Sequence, residues 1–94
     1  MRITRVIWLR DVVDKLAWKH NVSTSEVQEM LRNRPRFRFV ERGRVRGEDL
    51  YTVMGQTDAG RYLIAHFIHK HGGAALVISA RDMDKKERRR YERK

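Results

Sequence analysis

From Arg36 onward the chain is divided into four β-rich runs by separators too short to hold a crossover. Phe37 and Phe39 alternate with Arg36 and Arg38, then come Leu50 to Gly55, Arg61 to His69 and Ala74 to Ala80, all rich in β-branched and aromatic side chains. The separators are Gly43 to Gly47, Thr57-Asp58-Ala59-Gly60 and Gly72-Gly73. A parallel connection needs a dozen or more residues, so links this short demand hairpins, and the four runs are expected to form an antiparallel meander. The rest of the chain has to pack on or beside that sheet.

Ile3 to Leu9 reads as a further strand, and the spacing of Val12, Val13, Leu16, Ala17 and His20 then predicts a helix ending near His20. Ser23-Thr24-Ser25-Glu26 is a capping box, flanked by Val22 and Val27 as a hydrophobic staple. The helix it opens carries Val27, Met30 and Leu31 on one face and stops at Asn33, because Pro35 forces the residue before it out of helical conformation. Asp84 and Glu87 form a second capping box, opening a helix to about Arg93 whose nearby apolar residues are only Met83 and Tyr91. Such a helix must dock to persist. The expected order is β-α-α-β-β-β-β-α, an α+β fold with an antiparallel sheet packed against helices. No repeat, linker or second domain is visible, and 94 residues cannot divide their core, so residues 1–94 are expected to form a single domain.

The charge limits the partners. Twenty-two Lys and Arg against 12 Asp and Glu give a formal net charge of +10, a field that recruits polyanions, nucleic acid first among them. No segment is long and apolar enough to span a membrane, and Met1-Arg2-Ile3-Thr4 lacks a signal-peptide core, so a cytoplasmic protein is expected. With no cysteine there is no disulfide, no thiolate nucleophile and no Cys-rich zinc site. His20, His66, His69 and His71 make no H-E-x-x-H pattern, and neither metal nor cofactor is expected.

Three segments carry a resemblance. Lys19-His20-Asn21-Val22-Ser23, the stretch from Gly55 to Gly60-Arg61-Tyr62-Leu63, and Ile78-Ser79-Ala80-Arg81 followed by Glu87-Arg88 and Tyr91 together resemble the BrnT family of toxins. The chain departs from the family pattern at Leu9-Arg10-Asp11 after Trp8, at Asn21 in place of glycine, and in the arginines from Arg32 to Arg46. Asparagine tolerates the left-handed conformation of a helix-ending glycine, so Asn21 fits the motif. The resemblance implies a RelE/ParE-like fold, ribonuclease activity on messenger RNA, including ribosome-bound message, and a ribbon-helix-helix-like antitoxin as partner.

Cutting RNA without a metal requires a base for the ribose 2′-hydroxyl, an acid for the departing 5′-oxygen, and cations on the phosphorane between them. Arginine suits the last role, because its planar fork stays charged and meets phosphate oxygens in pairs. Arg81 and Arg88 match the family motif and are expected to face one phosphate, with Arg61 as a third cation. The alternative is that Arg81 ties the final helix to the sheet through Glu87. Glu87 itself reads as a cap or ion-pair partner, or as a general base. Tyr91 reads as the docking anchor of the last helix, with base stacking or proton donation as a further role.

Lys19 and His20 lie where positive charge suits a helix C-terminus, and His20 is kept as a catalytic candidate because it lies in the matched motif. His66 shares a strand face with Tyr62, Ile64 and Ile68 and reads as packing before acid-base work. Arg34, Arg36 and Arg38 read as a basic stripe along one strand face, and with Lys19, Arg46 and Arg89 they form the expected RNA-binding set. The same charge would serve a non-catalytic RNA- or DNA-binding module, or an inactive toxin homologue that only meets an acidic protein.

Overall fold

Both capping boxes are formed in the computed structural model, which describes residues 1–93. Helix α1 spans Arg10–His20 and ends on Asn21, whose φ of 53° turns the chain left-handed, so that the Asn21 N–H donates to the Ala17 carbonyl and the Val22 N–H to the Leu16 carbonyl. Helix α2 spans Thr24–Arg32, with Ser23 Oγ accepting from the Glu26 N–H at 3.1 Å and the Glu26 carboxylate accepting from the Ser23 N–H at 3.0 Å. Helix α3 spans Lys85–Glu92 and repeats the device with Asp84 and Glu87 at 2.7 and 2.9 Å. Each box satisfies amides that a helix start otherwise leaves open.

Five strands form one sheet: β1 Arg5–Ile7, β2 Arg36–Glu41, β3 Asp49–Gln56, β4 Tyr62–His69 and β5 Ala74–Asp82, in the spatial order β1-β5-β4-β3-β2. From β2 to β5 the strands are an antiparallel meander, and a 3₁₀ turn at His71–Gly73 joins the last two. The expected all-antiparallel sheet needs correction. Strand β1 is three residues long and lies parallel to β5, pairing Arg5 with Ala74 and Ile7 with Leu76, so the sheet is mixed. Hairpin lengths dictate only the meander; the N-terminal strand is placed by α1, which packs against β5.

The two faces of the sheet are different. Helices α1 and α2 cover one, where Leu16, Val22, Val27, Met30, Val53, Leu63, Phe67 and Val77 are almost completely buried. Gly55 is required there, because a Cβ at that position would lie 2.6 Å from the Met30 carbonyl oxygen of α2. Successive strand residues point to opposite sides, so Met54 and Ile64 face away from that core and meet Tyr91 of α3, with Tyr62 and Met83 beside them. A bulge at Ile78 gives β5 one extra residue, pairing His66 with Ser79 but Phe67 with Val77. That shift puts Ser79 and Arg81 on the α3 side while Val77 and Ala80 stay in the core. Among the described residues, no helix is long and apolar enough to cross a membrane.

Candidate functional site

Register across the meander builds two rows on the α3 side. Arg38, Thr52, His66 and Ser79 are consecutive partners over β2, β3, β4 and β5, and Arg36, Met54, Ile64 and Arg81 form the next row. Arg38, Thr52 and His66, with Glu87 and Arg90 of α3, line an open cleft of about 360 Å³ bounded by Phe39, Val40, Met54 and Ile64. The basic stripe is shorter than the sequence implies. Arg34 precedes β2 with φ of 49°, and its carbonyl accepts from the Tyr91 hydroxyl at 3.1 Å. Arg36 donates to the Arg93 carbonyl and lies over the Tyr91 ring, leaving Arg38 as the arginine of the stripe in the cleft.

Arg81 and Glu87 meet edge to edge. Arg81 Nη1 and Nη2 donate to Glu87 Oε1 and Oε2 at 2.7 and 2.9 Å, and Nη1 also donates to the Asp82 carbonyl at 3.1 Å. The sequence alternative in which Arg81 ties the helix to the sheet is the arrangement present. The Arg81 guanidinium, ahead of the Asp84 N–H, holds the Glu87 carboxyl below its ordinary value of 4.5. Glu87 in turn raises Arg81, which stays charged. A carboxylate stabilised this way is a weak proton acceptor, and its two oxygens fix the orientation of the Arg81 guanidinium. Of the five N–H groups of Arg81, the Nε proton and one Nη2 proton remain without a partner among the described residues.

The other predicted residues are dispersed. Arg88 lies 4.0 Å above the Tyr62 ring and 3.8 Å from Glu92, which also accepts from the Tyr62 hydroxyl at 3.0 Å. It therefore turns to Tyr62 and Glu92, whereas the sequence led us to expect it beside Arg81. Tyr91 is buried between Ile64, Met54 and Tyr62, and its hydroxyl donates to the carbonyls of Asn33 and Arg34. Arg61 lies at the β3–β4 turn and binds Glu26, Asp82 and the carbonyls of His20 and Asn21. Lys19 and His20 end α1 in a small recess with Val12, Leu16 and Ile78. Arg46 lies in the β2–β3 connection, where its carbonyl meets the His71 ring at 3.2 Å, and Arg89 is exposed on α3.

A family model described as "Ribonuclease toxin, BrnT, of type II toxin-antitoxin system" matches residues 8–87. The chain belongs to the BrnT toxin family. No individual curated protein matches it. BrnT membership brings ribonuclease activity in general, an RNA substrate and an antitoxin protein partner. The match runs from before α1 into the first turn of α3 and so includes every residue lining the cleft except Arg90. Sequence reasoning missed Thr52, Ser79 and Arg90, and it assigned His66 to packing. Their shared side depends on strand register and the Ile78 bulge, for which single-residue patterns carry no signal.

Proposed function

We propose that this BrnT-family protein is an endoribonuclease toxin that cuts messenger RNA in the cleft between β2, β4 and α3, by metal-independent attack of the ribose 2′-hydroxyl. The support is the placing of Arg38 and Arg90 on one cleft, with the unpartnered N–H groups of Arg81 in the row beside it. Two exposed cations suit phosphates on either side of the scissile bond, while Arg81, held by both oxygens of Glu87, presents donors to the phosphorane. The whole chain, residues 1–94, acts as one RelE-like unit in the cytoplasm, on ribosome-bound message. Its cognate antitoxin is a small acidic protein of ribbon-helix-helix type, matched to the net charge of +10.

Cleavage of a defined RNA by the purified protein tests this, with Arg81 as the probe. Arg81→Ala is expected to lower the single-turnover rate by on the order of a hundredfold, with RNA affinity much less affected, because one of many phosphate contacts is lost. Arg81→Lys recovers part of the rate, since an ammonium keeps charge but not the fork. A 2′-deoxy nucleotide at the scissile position should be inert. An Arg81→Ala protein that melts and binds RNA like the parent and cleaves at the parent rate would remove Arg81 from the reaction.

A further inference from the structure

We propose that His66 is the proton acceptor for the ribose 2′-hydroxyl in this cleft, with Ser79 as its positioning residue; the assignment rests on the nuclease reading above. Of the four histidines, His66 is the one that lines the cleft. His20 ends α1, His71 leans on the Arg46 carbonyl, and His69 lies on the core side against the Tyr51 ring. The other groups near the cleft that could take a proton are committed. Both oxygens of Glu87 are held by Arg81, and the Tyr91 hydroxyl is spent on two carbonyls.

His66 is held by one nitrogen only. Its Nδ1 lies 2.9 Å from Ser79 Oγ, directly across the β4–β5 pair, an alignment that exists because of the Ile78 bulge. With Ser79 accepting from Nδ1–H, the imidazole lone pair sits on Nε2, which has no partner among the described residues. The charged groups around the ring are Arg38 from β2, Arg81 from β5, and Glu87 and Arg90 from α3. Burial first, and then Arg81, lower the His66 pKa from its ordinary 6.5 against the opposing pull of Glu87. The ring is therefore neutral at neutral pH and ready to accept.

The step balances with water as the only co-reactant. Nε2 takes the 2′-hydroxyl proton as the 2′-oxygen bonds to phosphorus. The P–O5′ bond breaks, and the 5′-oxygen takes a proton from a water in the open cleft. The imidazolium then returns its proton to the hydroxide left behind. The products are a 2′,3′-cyclic phosphate and a 5′-hydroxyl.

The test is the single-turnover rate of the full chain on a short RNA from pH 5 to 9, with the cyclic-phosphate product identified. For the parent, the rate should rise with pH through an inflection below the ordinary histidine value of 6.5 and then level. His66→Asn keeps a donor towards Ser79 and lacks Nε2, so it should cut at least about a hundredfold more slowly and lose that inflection, with RNA affinity and melting near the parent. Ser79→Ala should retain the inflection at a lower plateau. His66→Gln supplies the same comparison if the asparagine variant melts early, since its amide has no basic nitrogen. A parent that cuts RNA and a His66→Asn or His66→Gln variant that keeps both its rate and its inflection would overturn the assignment and leave the nuclease reading standing. A parent that binds RNA and never cuts it would overturn both.

Discussion

Arg61 and Arg81 are each the centre of a carboxylate network beside β5, and they differ in what is left over. Arg61 spends every N–H on the protein: Nε and Nη2 on Asp82, Nη1 on Glu26 and the Asn21 carbonyl, and Nη2 also on the His20 carbonyl. Arg81 is fixed by one carboxylate and one carbonyl and keeps two donors. The first hub locks the α1–α2 loop to the β3–β4 turn around the main core. The second fixes a short helix beside the cleft that its Glu87 lines. A guanidinium with no donor left can serve only the fold, whereas one held on one edge is oriented and still able to bind a phosphate.

The largest expected consequence concerns stability. Arg61→Ala strands two loop carbonyls and leaves Glu26 without its cation, and it should lower unfolding free energy by about 2–3 kcal/mol; the half-exposed Asp82 pair adds little. Arg81→Ala should cost less, about 1–2 kcal/mol when both variants are unfolded in urea, since it strands one carbonyl rather than two and removes the cation of one carboxylate rather than two. Equal losses would erase the distinction between a structural hub and a poised one.

Much of this architecture is legible in the sequence because it is locally encoded. Ser23 with Glu26, and Asp84 with Glu87, satisfy helix amides within four residues, and the glycine-bearing separators enforce hairpins whatever the rest of the chain does. The parallel β1–β5 pair is not encoded that way; it joins Arg5 to Ala74 through contacts made by α1. Arg61 illustrates the same limit, since the carbonyls that saturate it are some forty residues earlier in the chain. The cleft was half legible. Arg38, Arg81 and Glu87 stand out by type and motif, but the bulge at Ile78 decides that Ser79 and Arg81 turn toward His66 and α3. A bulge changes the phase of a strand without changing its composition.

The two capping boxes sharpen the comparison at a smaller scale. Ser23→Ala and Asp84→Ala each remove one side-chain acceptor, worth about 1 kcal/mol at a helix start. Because α2 buries Val27 and Met30 in the main core, the Ser23 loss should appear in global unfolding. Helix α3 buries chiefly Tyr91, so the Asp84 loss should appear in the amide exchange of α3 and hardly at all in the global transition. Global melting lowered equally by both substitutions would mean that α3 unfolds only together with the sheet.

Acid should separate the hubs by the least. Glu26 is held below its ordinary 4.5 first by the Ser23 N–H and then by Arg61, Asp82 below 3.8 by Arg61, and Glu87 below 4.5 by Arg81. A carboxyl whose pKa is depressed by folding binds its proton more readily when unfolded, so its contribution is complete above the ordinary value and is lost as pH falls through the folded one. The carboxylate contribution should therefore be flat from neutrality to about pH 5 and decline below the ordinary carboxylate values, while His66, lowered from 6.5 by burial, adds a shallower decline that starts near that ordinary value. The parent should decline more steeply than Arg61→Ala, which has already lost the cation on Asp82 and Glu26. The effect is smaller than that substitution, because a protonated carboxyl still accepts a hydrogen bond and these groups are partly solvated. Glu87 should be read out differently, as loss of α3 amide protection before the global midpoint moves. If α3 protection and global stability fall together on acidification, the Arg81 hub belongs to the same cooperative unit as the Arg61 hub, and the independence of the two faces is lost.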